Sequence, residues 1–147
     1  MEDTVIYNEF ISRYWTWSKW GLLMNEKRKK PFKVSTELNN RKKLLNRELK
    51  RYIRLLTKHG SPEKLILFGT LARGELHEWS DIDLVVVEET DLPFYQRLRK
   101  IRELIQPQVG LDIVVYTPEE FDQLQANSTF FREEIMAKGK IIYEQSP

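Results

Sequence analysis

The sequence has no cysteine and little histidine, which limits the kinds of chemical site it can form. The absence of cysteine from the 147 residues excludes disulfides and thiolate zinc sites. His59 and His77 are the two histidines, so a histidine-built metal cluster is not expected. No uninterrupted apolar run approaches the roughly 18 residues of a membrane helix, and the N-terminus lacks a signal-peptide layout. We therefore expect a soluble, cytoplasmic protein with no membrane association.

The composition is that of one ordinary domain, but its charge is unevenly distributed. An apolar content of 41% is enough to build a core. Residues 1–60 carry 15 Lys and Arg against 6 Asp and Glu, a balance of +9, whereas residues 61–147 carry 9 against 16, a balance of −7. The net charge of +2 is the sum of these opposite balances. We expect the two halves to contact different kinds of partner.

The first 40 residues differ in character from the rest of the chain. Residues 4–20 show the spacing of an amphipathic helix, with one face formed by Ile6, Phe10, Tyr14 and Trp17. Residues 21–35, which include the basic run Lys27–Lys30, are predicted to be a polar linker. We therefore divide the chain into an aromatic and basic helical extension, residues 1–40, and a second domain, residues 41–147. The aromatic face is expected to pack on its own domain, on a second copy or on a partner.

The order of elements after residue 40 predicts a small α+β (mixed α/β) domain, with a short mixed sheet flanked by helices. A helix is predicted at 41–58, capped by Asn39 or Asn40 and stopped by Gly60–Pro62. The capping box Thr117–Glu120 opens another helix, which runs to Leu124. The remaining predictions are strands at 64–68, 81–87, 111–116 and 140–143, helices at 93–106 and 129–138, and a loop at 69–80.

Acidic residues stand at the start of two predicted strands. Side chains two residues apart in a strand point to the same face, so Asp81 and Asp83 project together while Ile82 points into the core. Like charges raise each other's pKa, and a divalent cation held by carboxylate oxygens removes that cost. Asp112 would join them if its strand lies alongside. The structural alternatives are a solvated strand entrance for the Asp pair and a turn carboxylate for Asp112.

A glycine and a hydroxyl residue follow the first strand. Gly69 allows backbone to approach a ligand closely, and free N–H groups at a helix start bind phosphate, with the Thr70 hydroxyl as an added donor. A phosphate cradle facing carboxylates suits nucleotidyl transfer, in which two metal ions clamp the attacking and leaving oxygens. Taken without the Asp pair, Gly69–Thr70 is better explained as a plain tight turn, and Arg73 is equally consistent with a surface charge.

Together these residues resemble the nucleotidyltransferase superfamily that includes DNA polymerase beta. The similarity lies in Phe68–Gly74 followed by Ser80–Leu84, and it extends over approximately residues 45–145. The pattern is similar to that of minimal bacterial and archaeal members, which often pair with a HEPN-domain partner as antitoxins. Thr70 stands where serine is usual in the family.

The resemblance implies a role for each matching residue. Gly69 and Thr70 would hold the triphosphate of a nucleotide, and Arg73 would contact phosphate. The same resemblance implies that two Mg²⁺ ions would be bound by Asp81, Asp83 and Asp112. Asp112 would also help to deprotonate the acceptor hydroxyl.

The resulting hypothesis is a Mg²⁺-dependent transfer of AMP from ATP onto a hydroxyl group. Because little chain follows Asp112, we expect the acceptor to come from outside, as part of a partner protein. The family resemblance implies that it is a tyrosine of a HEPN-type toxin, which this protein would counteract. One alternative is a non-catalytic antitoxin that only binds its partner. Others are transfer onto a small molecule such as an aminoglycoside, with a homo-oligomer completing the site, and transfer onto RNA ends. The basic half lends weak support to the nucleic-acid alternative, although a solvated helix face explains it as well.

Overall fold

The computed structural model describes the backbone of residues 34–147 and the side chains from residue 36 onward. Ser35–Pro147 form one compact unit. The predicted aromatic helix at 4–20 and the predicted linker up to residue 33 lie outside the described residues. The elements are, in chain order, helix α1 (Val34–His59), strand β1 (Pro62–Phe68), helix α2 (Gly69–Arg73), strand β2 (Ile82–Glu88), helix α3 (Phe94–Ile105), strand β3 (Leu111–Tyr116), helix α4 (Pro118–Asn127), a π-helical segment (Phe131–Met136) and strand β4 (Lys140–Glu144).

Helix α1 is longer at its N-terminal end than the sequence pattern predicted. Asn39 and Asn40 lie inside the helix, so the prediction that one of them caps it is wrong. The stretch 34–40 contains no glycine or proline to interrupt the helix, and Glu37 in the first turn suits its dipole. Residues 34 and 35 are therefore helical rather than part of a linker. The proposed boundary between residues 40 and 41 falls within this helix, and the division into two domains stays a prediction.

The four strands form a mixed sheet in the order β3-β2-β1-β4. Strand β1 runs antiparallel to both β2 and β4, whereas β2 and β3 are parallel. Residues 84–88 of β2 are all buried, as expected for a central strand that is covered on both faces. The predicted fold class is confirmed: a short mixed sheet flanked by helices.

The core is built by helices α1 and α3 on the sheet. Ile101 and Ile105 of α3 are almost fully buried in the same cluster as the apolar residues of the central strands. Since residues three and four apart share one helical face, the apolar face of α1 packs into this cluster. Its buried members are Leu45, Leu49, Tyr52 and Leu56. This packing holds α1 in place beside the strands.

The C-terminal elements were predicted in position but not fully in type. The capping box at Thr117–Glu120 is present, and the helix that it opens extends three residues beyond Leu124, to Asn127. Residues 131–136 form a wider π-helical segment where an ordinary helix was expected. The Phe131 ring packs edge-on against Phe121, at a centroid distance of 5.4 Å, and both rings are buried.

None of the described helices is both long enough and apolar enough to span a bilayer.

The buried Arg97 supplies a test of how the end of the sheet is held together. Its guanidinium donates to Glu120 at 2.6 Å, and Glu120 also accepts from the backbone of Thr117 at 3.0 Å. We expect Glu120→Gln to lower the free energy of unfolding by roughly 2 kcal/mol, because it leaves a buried charge without its partner. The exposed neighbour is a matched control, and Glu119→Gln should change stability by less than about 0.5 kcal/mol in urea unfolding. Equal effects of the two variants would contradict this role.

Candidate active site

The last residue of β1 and the first residues of β2 and β3 lie side by side at one edge of the sheet, formed by the strand ends. Phe68, the last residue of β1, pairs with Asp83 at the start of β2. Asp83 in turn pairs with Asp112 at the start of β3. Directly opposite residues on neighbouring strands point to the same face, so the Asp83 and Asp112 side chains project together. Gly69 and Thr70 follow Phe68 directly, and we call Gly69, Thr70, Asp81, Asp83 and Asp112 the carboxylate edge.

The acidic side chains of the carboxylate edge interact electrostatically. Burial, followed by the charges of Asp112 and Asp81, raises the pKa of Asp83 to about 7, while Arg73 acts in the opposite direction. Burial and then Asp81 raise the pKa of Asp112, against the opposing charge of Arg102. All three predicted carboxylates are therefore close enough to influence one another. This arrangement has a high free-energy cost unless a proton or a cation neutralises it.

Two glycines leave room for two of the carboxylates. Gly69 has a φ of +71°, and a Cβ at this position would lie 2.8 Å from the Asp83 Cγ. A Cβ on Gly110 would similarly collide with the Asp81 carboxylate. The sequence pattern assigned Gly69 to phosphate binding and gave no role to Gly110. The signal for Gly110 was its place directly before the strand that carries Asp112.

Ser80 joins the glycine–threonine turn to the Asp pair. The Thr70 hydroxyl donates to the Ser80 hydroxyl at 2.9 Å, and the His77 backbone N–H donates to the same oxygen at 2.9 Å. Ser80 is 1% exposed. Through these buried hydrogen bonds, Ser80 connects the start of α2 to the loop that precedes β2. The sequence pattern did not predict this role.

Two arginines flank the carboxylate edge. Arg73, predicted from the resemblance, pairs with Glu75 at 3.0 Å and with Glu134 at 3.9 Å, and its charge lowers the pKa of Asp83. Arg41 of α1 was not predicted, although its guanidinium lies 3.3 Å from Asp81 Oδ1. The structure thus brings Arg73 to the site, while its contact with phosphate stays a prediction.

The carboxylate edge fits a divalent metal ion in donor type and charge. Carboxylate oxygens are the hard ligands that Mg²⁺ prefers, and a cation would relieve the repulsion among the three aspartates. Within residues 34–147, however, histidine and acidic side chains do not already converge in a group of three around one point. Asp83 lies against Gly69, and Asp81 lies against Gly110 and Arg41. A metal ion bound by all three aspartates together would therefore need their side chains to rotate from the observed positions.

Comparisons with known proteins agree with this geometry. Residues 50–147 match the family model described as "Polymerase beta, Nucleotidyltransferase". The chain is also 32% identical over 84 residues to MJ0604 of Methanocaldococcus jannaschii, provisionally named a protein adenylyltransferase. That alignment covers 57% of this chain and 81% of the relative. The resemblance drawn from the glycine–threonine and Asp-x-Asp patterns is thus confirmed at the level of the family.

Solved structures add support for the fold. A Sulfolobus solfataricus protein, provisionally named a nucleotidyltransferase, superposes with a TM-score of 0.56 at 14% identity, covering 78% of this chain and 93% of that one. A toxin–antitoxin structure with AMP-PNP gives a TM-score of 0.45 at 22% identity, covering 66% of this chain and 73% of that one. The first likeness concerns the fold alone, and the second is too distant to support an argument.

The close approach of Gly69 to Asp83 predicts an unequal effect of two alanine substitutions. Gly69 and Gly74 share a left-handed φ, near +71° and +75°, but a Cβ on Gly74 would meet nothing within 4 Å. Gly74→Ala should cost about 1 kcal/mol of stability from backbone strain alone. Gly69→Ala should cost roughly 2–3 kcal/mol, because it also displaces the Asp83 carboxylate. If urea unfolding gave the same loss for both, the proposed crowding would be wrong.

The raised pKa of Asp83 predicts how stability depends on pH. Because its pKa rises from 3.8 to about 7 in the folded protein, the neutral carboxyl is favoured by folding. The stabilisation that comes from the protonated Asp83 is fully present below the unfolded-state pKa and is lost as the pH rises through about 7.

Asp83→Asn should therefore stabilise the metal-free protein by roughly 2 kcal/mol at high pH, allowing for solvent screening, and by almost nothing in acid. Thermal unfolding in EDTA on both sides of this pH range measures the difference. Asp91→Asn, which alters an exposed carboxylate after β2, is the control and should leave both curves unchanged. A destabilised Asp83→Asn variant at high pH would contradict the assignment.

Proposed function

Because the chain belongs to the polymerase beta nucleotidyltransferase family, we propose that it transfers AMP from ATP onto a hydroxyl group of a partner protein. The single observation that carries the proposal is the cross-strand row Phe68–Asp83–Asp112, which places the glycine–threonine turn beside the carboxylates. A phosphate-binding turn next to metal-binding oxygens is the arrangement that nucleotidyl transfer requires. We propose that the reaction takes place in the cytoplasm, where ATP is available as the donor.

The proposed reaction is an exchange of one phosphorus–oxygen bond for another. The acceptor hydroxyl oxygen forms a bond to the α-phosphorus of ATP, and the bond from that phosphorus to the bridging oxygen of the β-phosphate breaks. Pyrophosphate leaves with the bonding electrons, and the hydroxyl proton passes to Asp112. The burial that raises the pKa of Asp112 makes this carboxylate a better base than an exposed aspartate.

The other residues of the carboxylate edge hold the reacting groups. Gly69 and Thr70 are proposed to bind the triphosphate through backbone N–H groups and a hydroxyl, and Arg73 to contribute positive charge beside it. The three aspartates would ligate Mg²⁺, with two ions expected. The chemistry that Mg²⁺ supplies when bound is neutralisation of charge on the attacking and leaving oxygens.

A protein acceptor is favoured by the relative from Methanocaldococcus jannaschii. Its provisional name is protein adenylyltransferase, and this chain spans 81% of its length at 32% identity over the matched residues. The more specific proposal, a tyrosine on a HEPN-type toxin that the modification silences, rests on the resemblance of the sequence motifs. The protein would then act as an antitoxin.

The direct test is incubation of the full chain with ATP, Mg²⁺ and a HEPN-type protein encoded beside it. Intact-mass spectrometry should show a gain of one AMP on the partner, and peptide mapping should place it on a tyrosine. Asp81→Ala and Asp83→Asn should each lower the rate by at least about 100-fold, since they remove metal ligands. Asp91→Asn should retain the full rate.

Parallel reactions with an aminoglycoside and with an RNA oligonucleotide separate the alternative acceptors. A gain of AMP on either of these, and none on the protein, would replace the proposed acceptor. A tight complex without any transfer, unaffected by EDTA or by Asp83→Asn, would indicate a non-catalytic antitoxin. Full activity of Asp81→Ala would refute the proposed chemistry.

A further inference from the structure

Helix α1 reaches the carboxylate edge through one side chain, Arg41. We propose that Arg41 is a positioning residue, which orients Asp81 for metal binding by holding the peptide group between Ser80 and Asp81. The inference rests on the proposed function in one respect, namely that Asp81 is a metal ligand. Arg41 itself is not proposed to touch metal, nucleotide or acceptor.

The geometry of the Arg41 guanidinium supports this role. Its Nη2 and Nε donate to the Ser80 carbonyl oxygen at 2.8 and 3.1 Å, and Nη2 also lies 3.3 Å from Asp81 Oδ1. Two donors therefore converge on one backbone oxygen, and one of them is shared with the adjoining carboxylate. A planar guanidinium can make this fork, whereas a lysine ammonium cannot reproduce it.

The backbone contact is the stronger of the two. The Arg41 and Asp81 side chains are 25% and 45% exposed, and an ion pair this open to water contributes little. Ser80 is 1% exposed, and hydrogen bonds from a charged donor to a buried carbonyl contribute more. The main effect of Arg41 is therefore to fix the peptide, and neutralisation of Asp81 is secondary.

The peptide group between Ser80 and Asp81 also affects the glycine–threonine turn, through the Ser80 side chain. Its hydroxyl binds the Thr70 hydroxyl at 2.9 Å, and the residue after it is Asp81. A shift of the Ser80 carbonyl would thus move a carboxylate of the proposed metal site and loosen the glycine–threonine turn. Arg41 is well placed to prevent this shift, because Leu45, one helical turn later, is fully buried and anchors α1.

The residue lies outside the family match. That match begins at residue 50, so Arg41 belongs to a segment that the family model does not describe. The segment before residue 50 is therefore inferred to influence the site of this chain, through a contact between residues 40 positions apart.

Metal affinity of the full chain tests the inference without any acceptor. Mn²⁺ serves as the probe, and its free concentration is followed by electron paramagnetic resonance in low and high salt. Arg41→Gln should weaken Mn²⁺ binding roughly tenfold, as is typical when a residue that orients a metal ligand is lost. Arg41→Lys keeps the charge but loses the forked pair of hydrogen bonds, and it should weaken Mn²⁺ binding about threefold. Both effects should persist in high salt, because the backbone contact is not an exposed ion pair.

Arg47→Gln is the matched control, since Arg47 is an exposed arginine of the same helix. It should leave Mn²⁺ affinity unchanged. Unchanged or tighter binding by Arg41→Gln would overturn the inference, and tighter binding would show that Arg41 merely competes with the metal. If circular dichroism shows that Arg41→Gln does not fold, the test uses Arg41→Lys instead. Wild-type Mn²⁺ affinity of Arg41→Lys would contradict the positioning role. Weaker Mn²⁺ binding with an unchanged melting temperature would support it.

The outcome is separable from that of the proposed function. Asp81→Asn and Asp83→Asn are measured in the same assay, and Mn²⁺ binding that survives both would refute the metal site itself. A loss of binding in Arg41→Gln, together with no AMP transfer to any acceptor, would leave the positioning role intact and reject only the proposed reaction.

Discussion

The site depends on the electrostatic cost of holding carboxylates in register at one edge of a sheet. Strand pairing places Asp83 opposite Asp112, and burial together with repulsion from neighbouring aspartates raises the pKa of each. The described arginines near these carboxylates offset this cost only in part, since the charge of Arg102 opposes the rise in the pKa of Asp112 without reversing it. Arg41 contacts only the outer carboxylate, Asp81, and Arg73 is shared with two glutamates. Carboxylates with raised pKa beside the glycine–threonine turn suit the proposed binding of a cation together with a nucleotide.

The surrounding structure fixes the backbone positions of the residues that carry these carboxylates. Gly69 and Gly110 leave space for carboxylates where any side chain would collide, and Ser80 ties the loop to Thr70 from inside. Helix α1, fixed to the core by its apolar face, reaches over the sheet edge with Arg41. Backbone positions are thus set by hydrogen bonds and packing, while the charges of the aspartates stay available to a ligand.

Local patterns predicted much of this architecture from the sequence. The apolar runs predicted β2 and β3, and the bounds of β3 agree with the run at 111–116. The expected strand start at Asp81 is wrong by one residue, because β2 begins at Ile82 and Asp81 precedes it. The pairing of β2 with β3, which brings Asp112 beside Asp83, is a tertiary contact that periodicity does not encode. The same holds for Arg41, which meets Asp81 across 40 positions of sequence. Helix α1 begins earlier than its proposed asparagine cap because residues 34–40 contain no glycine or proline that would interrupt it.

The most direct test of the account is the ionisation of Asp83 itself. In the metal-free protein, the ¹³Cγ resonance of Asp83 should titrate with a pKa of about 7. Addition of Mg²⁺ with a non-hydrolysable ATP analogue should lower that midpoint by at least about one unit, because a bound cation favours the ionised carboxylate. A midpoint near the ordinary value of 3.8, unmoved by Mg²⁺ and nucleotide, would contradict the existence of a strained carboxylate edge that a metal ion relieves.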